Sequence, residues 1–126
     1  MAILVLVEDL FFLAKIQQTA KVIGVAVEAT DPDKFAERIA AGGVGAVILD
    51  LNDRRGRALE AARRLKSDPA TAAVPVIGFL SHVQTDLATA AKAAGCDLVL
   101  ARSGFTRDLP QLLERYAHGT SDQPAM

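Results

Sequence analysis

The chain alternates short, continuous apolar runs with longer stretches in which apolar residues recur at helical spacing. The short runs have the length of β-strands, and their lack of polar alternation is typical of strands covered on both faces. This order favours an α/β doubly wound parallel sheet with helices on both sides. The pattern predicts five strands, at residues 3–7, 25–28, 46–49, 74–80 and 98–101. It predicts helices from about residue 9 to Gly24, from residue 31 or 32 to Gly42, and over residues 57–66, 86–94 and 107–118.

Polar residues follow the predicted strands, and this is where ligands bind in doubly wound sheets. The residues at these strand ends are Glu8 and Asp9, Asp50, Ser81 and His82, and Arg102 and Ser103. If the first and third strands are neighbours, their carboxylates repel one another, and a cation is expected between them. Oxygen ligands favour Mg²⁺, and an aspartate beside such an ion can act as a phosphoryl-accepting nucleophile.

Four segments together resemble the receiver domain of two-component response regulators, over residues 3–117: ILVLVED, AVILDL, VPVIGFLS and GCDLVLARS. The resemblance implies a flavodoxin-like sheet of strand order 2-1-3-4-5. It also implies that Asp50 accepts a phosphoryl group from a histidine kinase or a phosphotransfer protein. The implied ligands of Mg²⁺ or Mn²⁺ are Glu8, Asp9, Asp50 and the backbone carbonyl of Asn52. Arg102 and Ser81 are the residues expected to stabilise the phosphoryl oxygens.

The chain departs from the receiver pattern at several positions. Leu80 occupies the usual hydroxyl position with Ser81 one residue later, and a bulge near Gly78 would restore Ser81. Arg102-Ser103 stands in place of the usual Lys-Pro, and Val99 replaces the usual aromatic residue. The loop over residues 51–56 also lacks the usual proline and is about two residues short. We therefore expect acceptor chemistry with a weakened conformational readout.

Most of these residues also have a simpler structural interpretation. Asp9 is suited to capping a helix N-terminus, and Asp50 to a turn. Arg102 is equally suited to a structural ion pair that neutralises the carboxylates, and Ser81 to capping the fourth helix. We interpret His82 as an ordinary surface histidine rather than a site residue.

Composition and charge exclude several classes of function. The chain has 126 residues, one cysteine and 14 basic against 15 acidic residues, for a net charge of −1. We therefore expect one domain over residues 1–118 with a flexible tail at 119–126, no DNA-binding domain and no membrane partner. Cys96 is expected to fill the core, and cysteine usage favours a cytoplasmic protein. The basic segment at residues 54–66 indicates a solvated helix face; alternatively Arg54 and Arg55 draw an anionic phosphodonor towards Asp50.

The first helix leaves one aromatic residue outside its apolar stripe. Helical geometry places Phe11 far from that stripe, whose members are Phe12, Leu13, Ile16, Ala20 and Ile23. An exposed Phe11 beside the acidic site predicts a docking or homodimer surface, and the alternative is that Phe11 packs under the last helix or a loop.

The sequence as a whole favours a signalling domain over an enzyme. The expected function is that of a single-domain response regulator, which is phosphorylated on Asp50 and signals by contact with another protein. The alternative is a pseudo-receiver that binds its partner independently of phosphorylation. A flavin or nucleotide binder is disfavoured because no glycine-rich phosphate loop follows the first strand. An autonomous hydrolase is disfavoured because no pair of base and nucleophile stands out.

Overall fold

The computed structural model describes residues 1–53, 56–81 and 85–117. The strands are β1 Ala2–Leu6, β2 Val27–Ala29, β3 Val44–Asp50, β4 Val76–Leu80 and β5 Leu98–Ala101. The helices are α1 Leu10–Ile23, α2 Phe35–Ala40, α3 Arg57–Ser67, α4 Thr85–Ala94, α5 Arg102–Arg107 and α6 Leu109–Ala117. In the part of the chain described here, no helix has the length and apolar character needed to cross a membrane.

The five strands form one parallel sheet in the order β2-β1-β3-β4-β5, which confirms the predicted fold class. The register aligns the carboxyl ends of the strands. Leu6 is paired with Leu49, Asp50 with Phe79, and Leu80 with Ala101. The polar residues that follow β1, β4 and β5 therefore meet Asp50 at a single edge of the sheet.

Apolar side chains cover both faces of the sheet. Alternate residues of β1 and β3 point to opposite faces, so that Leu4 and Leu49 pack against α2, α3 and α4, whereas Val5 and Ile48 pack against α1, α5 and α6. This double burial explains the absence of polar alternation in the strands. Cys96 is buried in the first of these cores, as predicted, and burial raises the pKa of its thiol to about 11.

The last helical region differs from the sequence prediction of one helix over residues 107–118. A helix begins at Arg102, directly after β5, and the chain then forms α5 and α6 on either side of Asp108. The division has a local cause, because Pro110 has no N–H to donate to the carbonyl of Thr106. Residues 118–126, which include the predicted tail, lie outside the described residues.

Two further details differ from the predictions. Within the described chain, β4 pairs with β3 and β5 in continuous register, so the bulge near Gly78 that would restore Ser81 is absent. Helix α2 begins at Phe35 rather than at residue 31 or 32. The reason is that Asp31 first closes a turn, in which its side chain accepts hydrogen bonds from the backbone N–H groups of Asp33 and Lys34.

The basic segment before and along α3 is only partly a solvated face. Arg63 and Arg64 are exposed, in agreement with the prediction. Lys66 instead forms an ion pair with Asp97 at 2.8 Å and donates to the carbonyls of Ala72 and Val74. Lys66 therefore ties the end of α3 to the start of β5.

Candidate functional site

A cavity of about 480 Å³ opens at the carboxyl edge of the sheet. Its lining residues are Glu8, Asp9, Asp50, Asn52, Phe79, Ser81 and Arg102. Every residue that the sequence assigned to phosphoryl or metal binding is among them, contributed by the ends of β1, β3, β4 and β5. Ser103 is not among the lining residues, and His82, Arg54 and Arg55 lie outside the described residues.

Asp9 uses both carboxylate oxygens. Its Oδ1 accepts hydrogen bonds from the backbone N–H groups of Phe11 and Phe12 at 3.0 and 3.1 Å, which caps the first turn of α1. Its Oδ2 accepts a hydrogen bond from Nη2 of Arg102 at 2.9 Å. The Arg102 hydrogen bond, followed by that from Phe12, holds the pKa of Asp9 below its usual value. Asp9 is therefore both a helix cap and half of an ion pair.

Arg102 lies on an aromatic shelf formed by Phe12 and Phe79. Its guanidinium carbon is 4.1 Å from the centre of the Phe12 ring and 6.0 Å from that of Phe79. The Phe79 ring stacks in turn on buried Phe105, with 4.7 Å between the ring centres. A planar guanidinium can stack on a ring face while its edge donates hydrogen bonds, and Arg102 does both. The structural ion pair considered for Arg102 is present.

The shelf residues were not recognised as site residues from the sequence. Phe12 belongs to the apolar stripe of α1, and Phe79 lies within a continuous apolar strand. Nothing local distinguishes them from other core residues. Their relation to Arg102 depends on contacts between α1, β4 and the start of α5.

Asp50 is the half-buried last residue of β3, with its Oδ1 accepting a hydrogen bond from the backbone N–H of Asn52 at 3.0 Å. Burial raises the pKa of Asp50 above its usual value, and the charges of Asp53 and Glu8 act in the same direction. The Asn52 hydrogen bond and the charge of Arg102 oppose this shift in pKa. Asp50 is thus a partly desolvated carboxylate in a crowded acidic site.

Ser81 reaches the cavity without a bulge, because it is the first residue after β4. Its backbone N–H donates to Oδ1 of Asn52 at 2.5 Å, which joins the end of β4 to the loop after Asp50. Leu80 points to the opposite face and is buried against the core under α3 and α4. The predicted capping of α4 by Ser81 would involve the segment 82–84, which lies outside the described residues.

Val99, which stands at the position predicted to lack the aromatic residue, lines a second cavity. A cavity of about 270 Å³ lies beside α4 and β5, and Leu80, Ala88 and Val99 are among its lining residues. A larger side chain at position 99 would extend into this space. Among the described residues, those that line this cavity include no aromatic side chain.

The donor chemistry of the cavity fits Mg²⁺ or Mn²⁺, since Glu8, Asp9, Asp50 and Asn52 all offer oxygen ligands. Their arrangement is less complete than the sequence predicted. Among the described residues, no three acidic, histidine or cysteine side chains are grouped so as to hold a metal ion. Asp9 contributes to this difference because its carboxylate is turned towards Arg102 and the start of α1.

Comparison with known proteins gives no sequence match and many structural matches. No family model matches the chain, and no curated protein matches it. The signal receiver domain of a DNA-binding response regulator from Colwellia psychrerythraea 34H is 21% identical with a TM-score of 0.74, and the match covers 90% of this chain and 98% of that one. A CheY-like response regulator receiver domain protein from Methanospirillum hungatei JF-1 is 16% identical with a TM-score of 0.76, covering 93% of each chain.

A third similar structure is the Mn²⁺-bound form of response regulator Rcp1. It is 17% identical with a TM-score of 0.71, and the match covers 98% of this chain and 99% of that one. All three matches span nearly the whole of both chains. The chain therefore has the fold of a response regulator receiver domain.

Proposed function

We propose that this chain is a phosphoacceptor signalling domain whose acceptor is Asp50. The observation that carries the proposal is the placement of Asp50 at the end of β3, half-buried in one cavity with Ser81 and Arg102. A nucleophilic carboxylate, a hydroxyl and a guanidinium at one strand edge suit transfer of a phosphoryl group. The receiver fold supports the same function.

In the proposed reaction a carboxylate oxygen of ionised Asp50 attacks the phosphorus atom of the donor. A new P–O bond forms, the bond between phosphorus and the leaving group breaks, and the leaving group departs with the electron pair. Arg102 donates hydrogen bonds to the phosphoryl oxygens, and Ser81 at the cavity rim provides a further donor. A bound Mg²⁺ or Mn²⁺, held by Glu8, Asp9, Asp50 and the carbonyl of Asn52, would supply positive charge for these oxygens.

The proposed donor is a histidine kinase or a phosphotransfer protein, which docks on the start of α1. Phe11 is 91% exposed and neighbouring Leu10 is 74% exposed, so the alternative in which Phe11 packs inside its own chain is wrong. These two residues directly follow Asp9, which lines the cavity. A homodimer through the same surface is the competing occupant. The modified domain would then signal to a downstream protein by contact.

The test is modification of the protein by acetyl phosphate in the presence of Mg²⁺, followed by intact-protein mass spectrometry. We expect the wild type to gain one phosphoryl group and Asp50→Asn to gain none, because an amide cannot form the acyl phosphate. Asp108→Asn is the matched control, since it removes an exposed carboxylate outside the cavity. Modification of Asp50→Asn at the wild-type level would disprove the assignment of the acceptor.

The second candidate function is a pseudo-receiver that binds its partner regardless of phosphorylation. The observation that favours it is the commitment of Asp9 to Arg102 and the N-terminus of α1, rather than to an ion site. This function requires that neither acetyl phosphate nor beryllofluoride modifies Asp50 and that Asp50→Asn leaves partner binding unchanged.

We expect a muted conformational response to modification. Val99 leaves a gap beside α4, and Leu80 is buried at the usual hydroxyl position, so little differential affinity links the site to that face. In amide NMR spectra, beryllofluoride with Mg²⁺ should shift the residues that line the cavity and leave most of α4 and β5 unmoved. Large shifts throughout β4 and β5 would show that the readout is intact.

A further inference from the structure

The ion pair between Asp9 and Arg102 lies in the cavity whose metal site is part of the proposed function, and the role assigned to the pair below rests on that function. The pair is held from several directions. Asp9 is fixed by two backbone N–H groups of α1, and Arg102 lies against the face of the Phe12 ring. The two side chains remain accessible, since that of Arg102 is 33% exposed and that of Asp9 is 42% exposed. A partner or an ion can therefore reach the pair from solvent.

We propose that Arg102 and a divalent cation compete for the Asp9 carboxylate, so that Arg102 sets how tightly the cavity binds Mg²⁺ or Mn²⁺. In the described conformation Oδ2 of Asp9 accepts from Arg102 at 2.9 Å, and Oδ1 accepts from Phe11 and Phe12. A cation that takes Oδ2 of Asp9 as a ligand would bring its positive charge against the guanidinium, so its binding would be opposed by the ion pair. Its apparent affinity is then lowered by the fraction of molecules in which the pair is closed.

The aromatic shelf gives the displaced guanidinium a place to remain. Contact with the Phe12 ring does not depend on Asp9, so Arg102 can leave the carboxylate and still lie in the cavity that Asp50 lines. Its charge already favours the ionised form of Asp50. Once released from Asp9, Arg102 would be a donor available for the phosphoryl group. Phe12 is a positioning residue for this exchange.

The test is a Mn²⁺ titration of the wild type and of Arg102→Gln, followed by paramagnetic broadening of amide signals near Asp50. Because the pair is partly exposed and of modest strength, we expect Arg102→Gln to lower the Kd for Mn²⁺ about fivefold. Arg107→Gln is the matched control, since Arg107 also lies in α5 and pairs with a carboxylate, that of Asp108, away from the cavity. Its Kd should equal that of the wild type.

Two further measurements separate competition from a general charge effect. In the Asp9→Asn background, Arg102→Gln should no longer tighten Mn²⁺ binding. If Arg102 only repels the cation through space, the same substitution would still tighten binding in that background. In the wild type, Mg²⁺ should shift the side-chain Nε–Hε signal of Arg102 and leave that of Arg107 unchanged. Where Arg102→Gln fails to fold, which its circular dichroism spectrum reveals, Arg102→Lys serves instead and should lower the Kd by a smaller factor.

The outcomes distinguish this inference from the proposed function. Three results would each overturn the competition. They are equal Kd values for the wild type and Arg102→Gln, a gain in Mn²⁺ affinity that persists in the Asp9→Asn background, and no Mn²⁺ binding by any variant. Modification of Asp50 by acetyl phosphate is measured separately on the same wild-type sample. If Asp50 is not modified, the phosphoacceptor function is disproved, while a measured competition for Asp9 still stands.

Discussion

Replacing Phe105 by alanine is expected to lower the free energy of unfolding by about 3–5 kcal/mol, the usual loss for a buried phenylalanine. Phe105 is 0% exposed. Its ring stacks on Phe79 at 4.7 Å between ring centres and lies 5.9 Å from that of Phe12. The alanine variant leaves a cavity beneath the two rings that support Arg102. Urea unfolding followed by far-ultraviolet circular dichroism measures the loss.

Phe11→Ala is the matched control because the same side chain is removed from an exposed position on α1. Phe11 is 91% exposed, so the expected change in unfolding free energy is within about 0.5 kcal/mol. A comparable loss in Phe11→Ala and Phe105→Ala would contradict the described packing. Phe105→Leu, which fills most of the cavity, should lie between the wild type and the alanine variant.

Gly78→Ala is expected to lower the free energy of unfolding by about 1–3 kcal/mol, as overpacking of a core does. A β-carbon at this position of β4 would lie 2.7 Å from Cδ1 and 3.0 Å from Cγ of Leu51. Leu51 is buried and directly follows Asp50, so its displacement also disturbs the acceptor. We therefore expect slower modification by acetyl phosphate together with the loss of stability.

Gly104→Ala is the control for Gly78→Ala. Gly104 lies within α5, where the nearest contact of an added β-carbon is Nη2 of Arg107 at 3.7 Å. Alanine is favoured over glycine inside a helix by roughly 0.5–1 kcal/mol, so this variant should be slightly more stable than the wild type. Stabilisation by both substitutions would mean that Leu51 yields freely and that Gly78 is not required.

Close approach at Gly78 is confirmed, but the approaching group differs from the one that the sequence predicts. A glycine inside a strand predicts close approach by another part of the chain, in the first instance by backbone. The approaching group is instead the side chain of Leu51. Which group approaches Gly78 depends on the pairing of Leu49 with Gly78, which brings the residue after Asp50 over β4. No property of residues 74–80 alone specifies it.

The sequence by itself determined the sheet, the strand order implied by the receiver resemblance and the edge at which the site lies. Continuous apolar runs predict double coverage, and parallel strands place their carboxyl ends together. For this reason Asp9, Asp50, Ser81 and Arg102 could be assigned to one cavity before any contact was known. The burial of Phe12, Ile16 and Ala20 and the exposure of Phe11 also follow from helical periodicity.

Only the tertiary structure decided how the residues of that cavity are paired. Asp9 and Arg102 are separated by 93 positions in the sequence, and Phe12 meets Arg102 only because α1 packs beside the start of α5. Lys66 is likewise held by Asp97 and by carbonyls of the loop before β4 rather than left in solvent. Periodicity specifies which side of an element is buried, because that depends on neighbouring positions. The partner of a charged side chain depends on distances between elements, which only their packing sets.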